Sequence, residues 1–331
     1  MDWFTSLIGE GAESPREPLR VIGIDLGTTN STVAEITWMP GESQPSPPRC
    51  LVVEQPTLAG RYMHVLVPSV VAIRETGDVW VGEGAKRLRA LPEAGAEEYR
   101  TWFAETKNDM GVRRTYHRAP AGFRSARAIA RHILRFLYEA ALAESDLAPA
   151  RVVGTVPASF QVAQRQDTVD AAQAAGIELG GGELLDEPVA AFLAFLAKRA
   201  DRLDELLPRD GGARTLLVFD FGGGTCDVAI FRLSRGGHGR MTVSPLSVSR
   251  YHRLGGGDID RAVIHEVLLP QLLEQNGLSS HDLDYEDKRH RIQPALLGVA
   301  ESLKQKLCLE VARLKALGRW DSLDKGSLVE K

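Results

Sequence analysis

The chain has 331 residues, 44% of them apolar and 25% charged, with a net charge of −4. These values fit a globular protein of two domains, or one domain built as two lobes, and exclude a strongly basic nucleic-acid surface. Cys50, Cys226 and Cys308 are far apart, with no CxxC pair and no histidine at ligand spacing, so neither a disulfide frame nor a zinc site is expected and the chain reads as cytoplasmic. No segment reaches the roughly 18 uninterrupted apolar residues of a membrane helix.

The opening "MDWFTSLIGEGAESPREP" lacks a basic leader region and carries Asp2 and Glu10, which predicts a tail and linker over 1–19 in place of a secretory signal. "RVIGID" reads as a strand, the glycines and threonines after it as a turn, and "STVAEI" as a returning strand. Residues 38–48 read as a loop. Two strands around "ETGD" follow, then a helix opening near Glu83. "RSARAIARHILRFLYEAALAES" is apolar at Ile129, Ile133, Leu134, Leu137, Ala140 and Ala141, a helical period with a solvated basic face. "ARVVGTVPASF" is a strand ending at Pro157, and "QVAQRQDTVDAAQAAG" an amphipathic helix stopped by Gly176. "LLDEPVAAFLAFLAKRADRLDELLP" reads as a turn opening a long helix, with Asp186, Glu187 and Pro188 suited to its N-terminus. Residues 209–214 read as a crossover loop, "TLLVFDFGGGTCDVAIFRL" as a second hairpin, and "RLGGGDIDRAVIHEVLLPQLLEQNG" as a glycine turn leading into a helix. A final helix covers "ALLGVAESLKQKLCLEVARLKAL". Alternating strands and helices give an α/β class.

The two hairpins repeat one pattern. With Asp25 placed over Asp220, Gly27 falls on Gly222, Thr29 on Gly224, Val33 on Val228 and Ala34 on Ala229. A glycine- and hydroxyl-rich turn exposes backbone N–H groups and suits phosphate oxygens. An aspartate leading each turn would repel phosphate unless a cation, most simply hydrated magnesium, lies between them. Two copies would grip a polyphosphate from both sides. No GK[ST] follows, so neither turn is a Walker A loop, and "GGGT" enters a strand and not a helix, which excludes the dinucleotide fingerprint.

"GIDLGTTNS", "VGEGAK", "TVPASFQVAQRQ", "LLDEPVAAFLAF", "VFDFGGGTCDVAI", "LGGGDID" and "AESLKQKL" resemble, in order and approximate spacing, the ATPase domain of the heat-shock seventy-kilodalton chaperones. The resemblance implies the actin-like ATPase fold, two lobes closing on ATP or ADP with magnesium and potassium. It places lobe I at 20–200, with a trimmed upper part at about 60–125, and an incomplete lobe II at 201–331. It implies that Asp25, Asp220 and Asp227 serve the metals, mostly through water. Gly27, Thr28, Thr29 and Asn30 match the first phosphate loop, and Gly222, Gly223, Gly224 and Thr225 the second. Gly255, Gly256, Glu301 and Lys304 fall at further nucleotide contacts. Lys86, Glu187 and Asp220 are the implied catalytic residues, with Lys86 at the γ-phosphate and Glu187 positioning water. Pro157 and Arg165 match the family's allosteric switch. Cys226 is expected in the core; a cleft-facing Cys308 thiol is left open.

The chain runs only 27 residues past Lys304, without the later lobe II strands or a Gly-Gly-Ser turn under adenine. The expectation is the N-terminal part of a longer protein, a short homologue being the alternative. A lobe lacking strands would expose an apolar sheet edge and face. The implied partners are ATP and, if a peptide-binding domain exists, client polypeptides, J-domain and nucleotide-exchange co-chaperones, with no nucleic acid and no membrane. The competing functions are a sugar or acetate kinase of the same superfamily and a filament-forming or regulatory protein without turnover.

Overall fold

In Leu19–Asp25 (β1) the buried residues are Arg20, Ile22 and Ile24, the period of two that lays one strand face on a core. The computed structural model describes residues 13–179, 181–198, 212–235, 241–250 and 252–322. Expectations for the first twelve residues, for the helix beyond Lys198, for 209–211 and for the end of the chain lie outside them.

β1 turns back into β2 (Asn30–Trp38), antiparallel, with Asp25 opposite Thr32. The short β3 (Arg49–Cys50) extends this sheet, the hairpin of β4 (Val53–Thr57) and β5 (Gly60–His64) stands apart from it, and β6 (Val67–Pro68) pairs with the start of β2. β7 (Val71–Ile73), β8 (Val79–Val81) and β9 (Trp102–Phe103) make a small sheet, with helix α1 (Glu83–Leu88) opening at the expected residue. After α2 (Ala126–Ala143), β10 (Arg151–Val156) runs parallel to β1 and sets Thr155 beside Asp25. Then come α3 (Val162–Ala174), β11 (Leu184–Asp186) and α4 (Glu187–Lys198). "LLD" is therefore a strand and not the expected turn: it pairs in parallel with β10 and completes the strand–helix–strand unit around α3. Along α3 the buried side is Thr168, Val169, Ala171 and Ala172, a stripe of mostly small residues that lets the helix lie close.

The first core lies between this sheet and α2, with Ile22, Ile24, Val33, Ile129, Ile133 and Leu137 almost fully enclosed. Arg20 is buried with them. Its guanidinium donates to Glu35 at 2.9 Å and to the carbonyls of Ala141 (2.6 Å) and Leu147 (3.0 Å), so a cation stands at the C-terminal end of α2, where the helix dipole favours it. Burial pushes the Glu35 carboxyl up, but hydrogen bonds and charges from Arg49 and Arg20 outweigh it and hold the group low.

The second sheet has the order β12 (Arg214–Phe221), β13 (Cys226–Arg235), β14 (Met241–Val248). α4 covers one face, with Phe192 and Leu196 on Leu233. On the other face Leu217, Phe219 and Phe221 are 58%, 62% and 42% exposed, the open apolar surface the sequence led us to expect. α5 (Gly256–Val263) passes through a π-helical stretch (Ile264–Leu268) into α6 (Leu269–Gln275), and α7 (Gln293–Ala316) is the long final helix.

An exposed apolar sheet face promotes association. Leu217→Lys, at an exposed position on β12, is expected to lower light scattering of the concentrated protein while leaving Tm within about 4 °C, a change of roughly 1 kcal/mol or less. Undiminished association would mean that this face is not the sticky one.

Candidate functional site

The two Asp-led turns meet face to face. A Cβ on Gly223 would overlap the Thr29 hydroxyl, and one on Gly224 would stand 2.6 Å from Thr28 Cγ2, so only glycine lets the second turn approach the first. The first turn is braced by Ser69, whose N–H donates to Thr29 O at 2.8 Å and whose hydroxyl donates to Gly27 O at 2.7 Å. Gly27 sits so close over Asn30 O that a side chain there would collide with the backbone. The second turn closes by Gly222 N–H donating to Thr225 O at 2.9 Å. A third glycine turn stacks behind it. Gly256 N–H donates to Gly222 O at 3.0 Å and Gly257 N–H to Gly223 O at 2.8 Å, while a Cβ on Gly255 would lie 2.5 Å from Gly223 C.

Beneath the turns the structure gathers carboxylates. Asp25 accepts from the Thr155 hydroxyl at 2.6 Å. Asp227, 1% exposed, accepts from the Ser159 hydroxyl at 2.6 Å and faces Asp220 in the strand register. Burial raises the Asp220 pKa, and the like charges of Asp227 and Asp25 raise it further. Glu187, at the first position of α4, is pushed up to about 7 by burial, with Lys107 pulling against the shift and Asp25 and Asp220 adding to it. A set of desolvated carboxylates that repel one another favours a cation between them. No three of the described Asp, Glu, His or Cys side chains converge as a ready-made metal cage.

Two lysines part company here. Lys107, on the 3-10 turn Thr106–Asp109, donates to Glu187 Oε1 at 2.6 Å, with side-chain exposures of 8% and 14%. Its ammonium also lies over Phe160, 5.6 Å from the ring centre. Lys86 reaches instead from α1 to Glu301 on α7, at 2.5 Å, and is 35% exposed. Lys107, which the sequence reading did not single out, occupies the place beside Glu187. One signal was available: Lys107 is the only lysine between Lys86 and Lys198, in a stretch whose other cations are arginines.

The remaining expected residues fall in two places. Lys304 donates to Gly256 O at 3.0 Å and Asp260 Oδ2 at 2.6 Å, tying α7 to the third glycine turn, with Glu301 one helical turn earlier. Arg165 on α3 donates to Asp186 Oδ1 at 2.5 Å and to Phe160 O at 3.1 Å, beside the chain that leaves β10 through Pro157. Cys226 is half-buried and not in the core, because the sheet face it shares with Phe219 and Phe221 is open; Cys308 is exposed on α7.

Comparison with known proteins gives the context. A family profile described as "Hsp70 protein" matches residues 103–316. The chain belongs to the Hsp70 family. Among its relatives, a "Chaperone protein HscA homolog" of Methylococcus capsulatus is 34% identical over 281 residues, which is 79% of this chain and 39% of the relative. "Chaperone protein dnaK3" of Synechococcus elongatus is 33% identical over 315 residues, 87% of this chain and 36% of that protein. "Chaperone protein HscA" of Yersinia enterocolitica is 32% identical over 327 residues, 92% and 45%. The chain thus spans less than half the length of these Hsp70 relatives. Among the described residues no helix is long and apolar enough to cross a membrane.

The Glu187 shift has a thermodynamic consequence. Its folded-state value near 7 lies above the ordinary 4.5, so the unfolded chain releases this proton first and the group's contribution to stability falls as pH rises from about 4.5 to about 7. Glu187→Gln lacks that titration. The Tm of the parent relative to this variant is expected to decline between pH 5 and pH 8; a difference that stays flat across this range would show an unshifted carboxyl.

Proposed function

We propose that this chain is the nucleotide-binding part of an Hsp70-type chaperone, closing two lobes of an actin-like ATPase fold on ATP and hydrolysing it to ADP and phosphate. The observation that carries the reading is the contact of Thr28 and Thr29 with Gly223 and Gly224, directly above buried carboxylates and the Lys107–Glu187 pair. In this reading lobe I spans 20–200, with a reduced upper part at about 60–125, and lobe II begins at 201. The paired turns present N–H and hydroxyl groups to the phosphates. Gly255, Gly256, Glu301 and Lys304 lie toward the nucleoside.

Asp25, Asp220 and Asp227 are the residues that would hold magnesium, with potassium nearby, mostly through bound water. The burial of Asp220 and its repulsion from Asp227 and Asp25 fit a cation. Magnesium would supply neutralisation of phosphate charge. The protein groups do the rest. Glu187, poised near neutrality, accepts a hydrogen bond from the attacking water and fixes its direction. Lys107, nearly buried beside Glu187, is the donor that stabilises negative charge developing on the γ-phosphate. Lys86 is then reassigned from the γ-phosphate to a clamp between the lobes through Glu301. Pro157 and Arg165 transmit nucleotide state toward a peptide-binding domain, whose clients, J-domain and nucleotide-exchange partners would meet the whole protein in the cytoplasm.

Calorimetry and single-turnover phosphate release test this. Asp25→Ala combined with Asp220→Ala is expected to abolish the magnesium dependence of ATP binding; unchanged, metal-independent affinity in that variant would remove the cation bridge. Lys107→Ala is expected to slow phosphate release about 10²–10³-fold with ATP affinity nearly retained, as for loss of one preorganised donor. Lys86→Ala should leave the chemical step within a few-fold and hasten nucleotide release. The reverse ranking of the two lysines would restore Lys86 to the γ-phosphate.

A further inference from the structure

Helix α1 has six residues, a length of about 9 Å, too short to hold itself in water, so its place is set by what surrounds it. The hairpin of β4 and β5 supplies much of that surrounding. On β4 the inward positions are Val53 and Gln55, with Glu54 outside between them. A glutamine therefore stands where the two-residue period calls for an apolar side chain, and it is fully buried. Both ends of its amide are used. Oε1 accepts from the Glu83 N–H at 2.8 Å, and Nε2 donates to Leu66 O at 3.1 Å. The Glu83 N–H is one of the donors that a helix cannot satisfy at its own N-terminus, and Gly82 before it brings no capping side chain. Gly82 has φ 90°, and a Cβ there would stand 2.4 Å from Gln55 Oε1, so glycine is what lets the amide in.

The rest of α1 is held in the same way. Gly84 lies so close to Pro56 O that a Cβ would overlap it. Trp102 Nε1 donates to Ala85 O at 2.7 Å, and the Arg87 guanidinium lies over the Tyr62 ring of β5 at 5.3 Å. Lys86 differs from these neighbours. Its N–H closes the first turn on Gly82 O at 2.9 Å, but its side chain crosses to Glu301 on α7.

We infer that Gln55 is a positioning residue for the ATP cleft: its amide seats the first turn of α1 on the hairpin, and the seated turn sets where the Lys86 ammonium stands. This rests on the reading of the cleft as an ATP site. Gln55 touches no nucleotide and acts through the lysine. A misplacement on the order of 1 Å is enough to cost up to about 10²-fold in rate.

The test is a double-mutant cycle on the full chain with Mg-ATP. Gln55→Met keeps the length of the side chain and removes both polar ends; Gln55→Glu keeps an acceptor of the same reach. Nucleotide release and single-turnover phosphate release are measured for the parent, Gln55→Met, Lys86→Ala and the double variant. Gln55→Met should shift the rate that Lys86→Ala shifts, in the same direction and by about threefold or more, and should leave it within about 1.5-fold once Lys86 is gone. A merely structural role would add its effect in both backgrounds. The Glu variant should stay within about twofold of the parent, and amide hydrogen exchange at residues 83–88 should quicken in the Met variant and much less in the Glu variant. Gln55→Asn, one methylene shorter, serves the same cycle if the Met variant does not fold. Additive effects, a Glu variant as altered as the Met variant, or unchanged exchange at 83–88 would each overturn the assignment. If the parent neither binds nor hydrolyses Mg-ATP, the nucleotide reading fails on its own, and the exchange measurement still decides whether Gln55 seats the helix.

Discussion

Repulsion among buried carboxylates is the constraint around which the site is organised. Burial raises the proton affinity of Asp220 and Glu187, and the neighbouring charges add to it, Asp227 and Asp25 at Asp220, and Asp25 and Asp220 at Glu187. Three of the four are answered by a donor from elsewhere in the chain. Thr155 donates to Asp25, Ser159 to Asp227 and Lys107 to Glu187. These donors come from β10, from the segment after it and from the 3-10 turn, so one electrostatic requirement ties together three separate stretches of chain. A hydroxyl donor relieves a carboxylate without neutralising it, which leaves the site with surplus negative charge.

The glycine turns supply the complementary geometry. Gly223 and Gly224 accept Thr28 and Thr29 at distances no side chain permits, and Gly255 repeats the device one layer behind. Backbone N–H groups are thereby concentrated over the carboxylates, and any side chain added at these positions must force the turns apart. Among the described residues, long-range contacts around this approach include Lys86 with Glu301, Arg261 with Glu105 and Ser159 with Asp227. The first two are partly exposed ion pairs, of the kind that contribute about 1 kcal/mol or less and weaken with salt.

The helix α3 occupies a particular place in this arrangement. Its buried stripe of small residues lets it lie close to its neighbours, and its first turns contact Asp186, Phe160 and Gly111. Any motion of α3 is therefore felt at both members of the Lys107–Glu187 pair. The allosteric role that the family resemblance implies for Pro157 and Arg165 would act through this same helix.

The sequence by itself determined the local structure, because its determinants lie within a few residues. Alternating apolar positions set β1 and β2, the 3.6-residue period set α2, and the doubled Asp-Gly-Thr pattern announced two equivalent turns. Which face of β12 stays open was not legible, because the strand is apolar on both: α4 covers the side of Leu216 and Val218 and leaves Leu217, Phe219 and Phe221 exposed. Tertiary structure alone decided which lysine stands at the carboxylates. Lys86 sits in a recognisable motif yet pairs with Glu301, 215 positions away, while Lys107 lies in a stretch without periodicity and meets Glu187 80 positions away. Tertiary pairing also made "LLD" a strand, because its hydrogen-bond partners belong to β10. Contacts of this kind depend on how distant segments are folded against each other, and neither hydrophobic period nor turn chemistry encodes them.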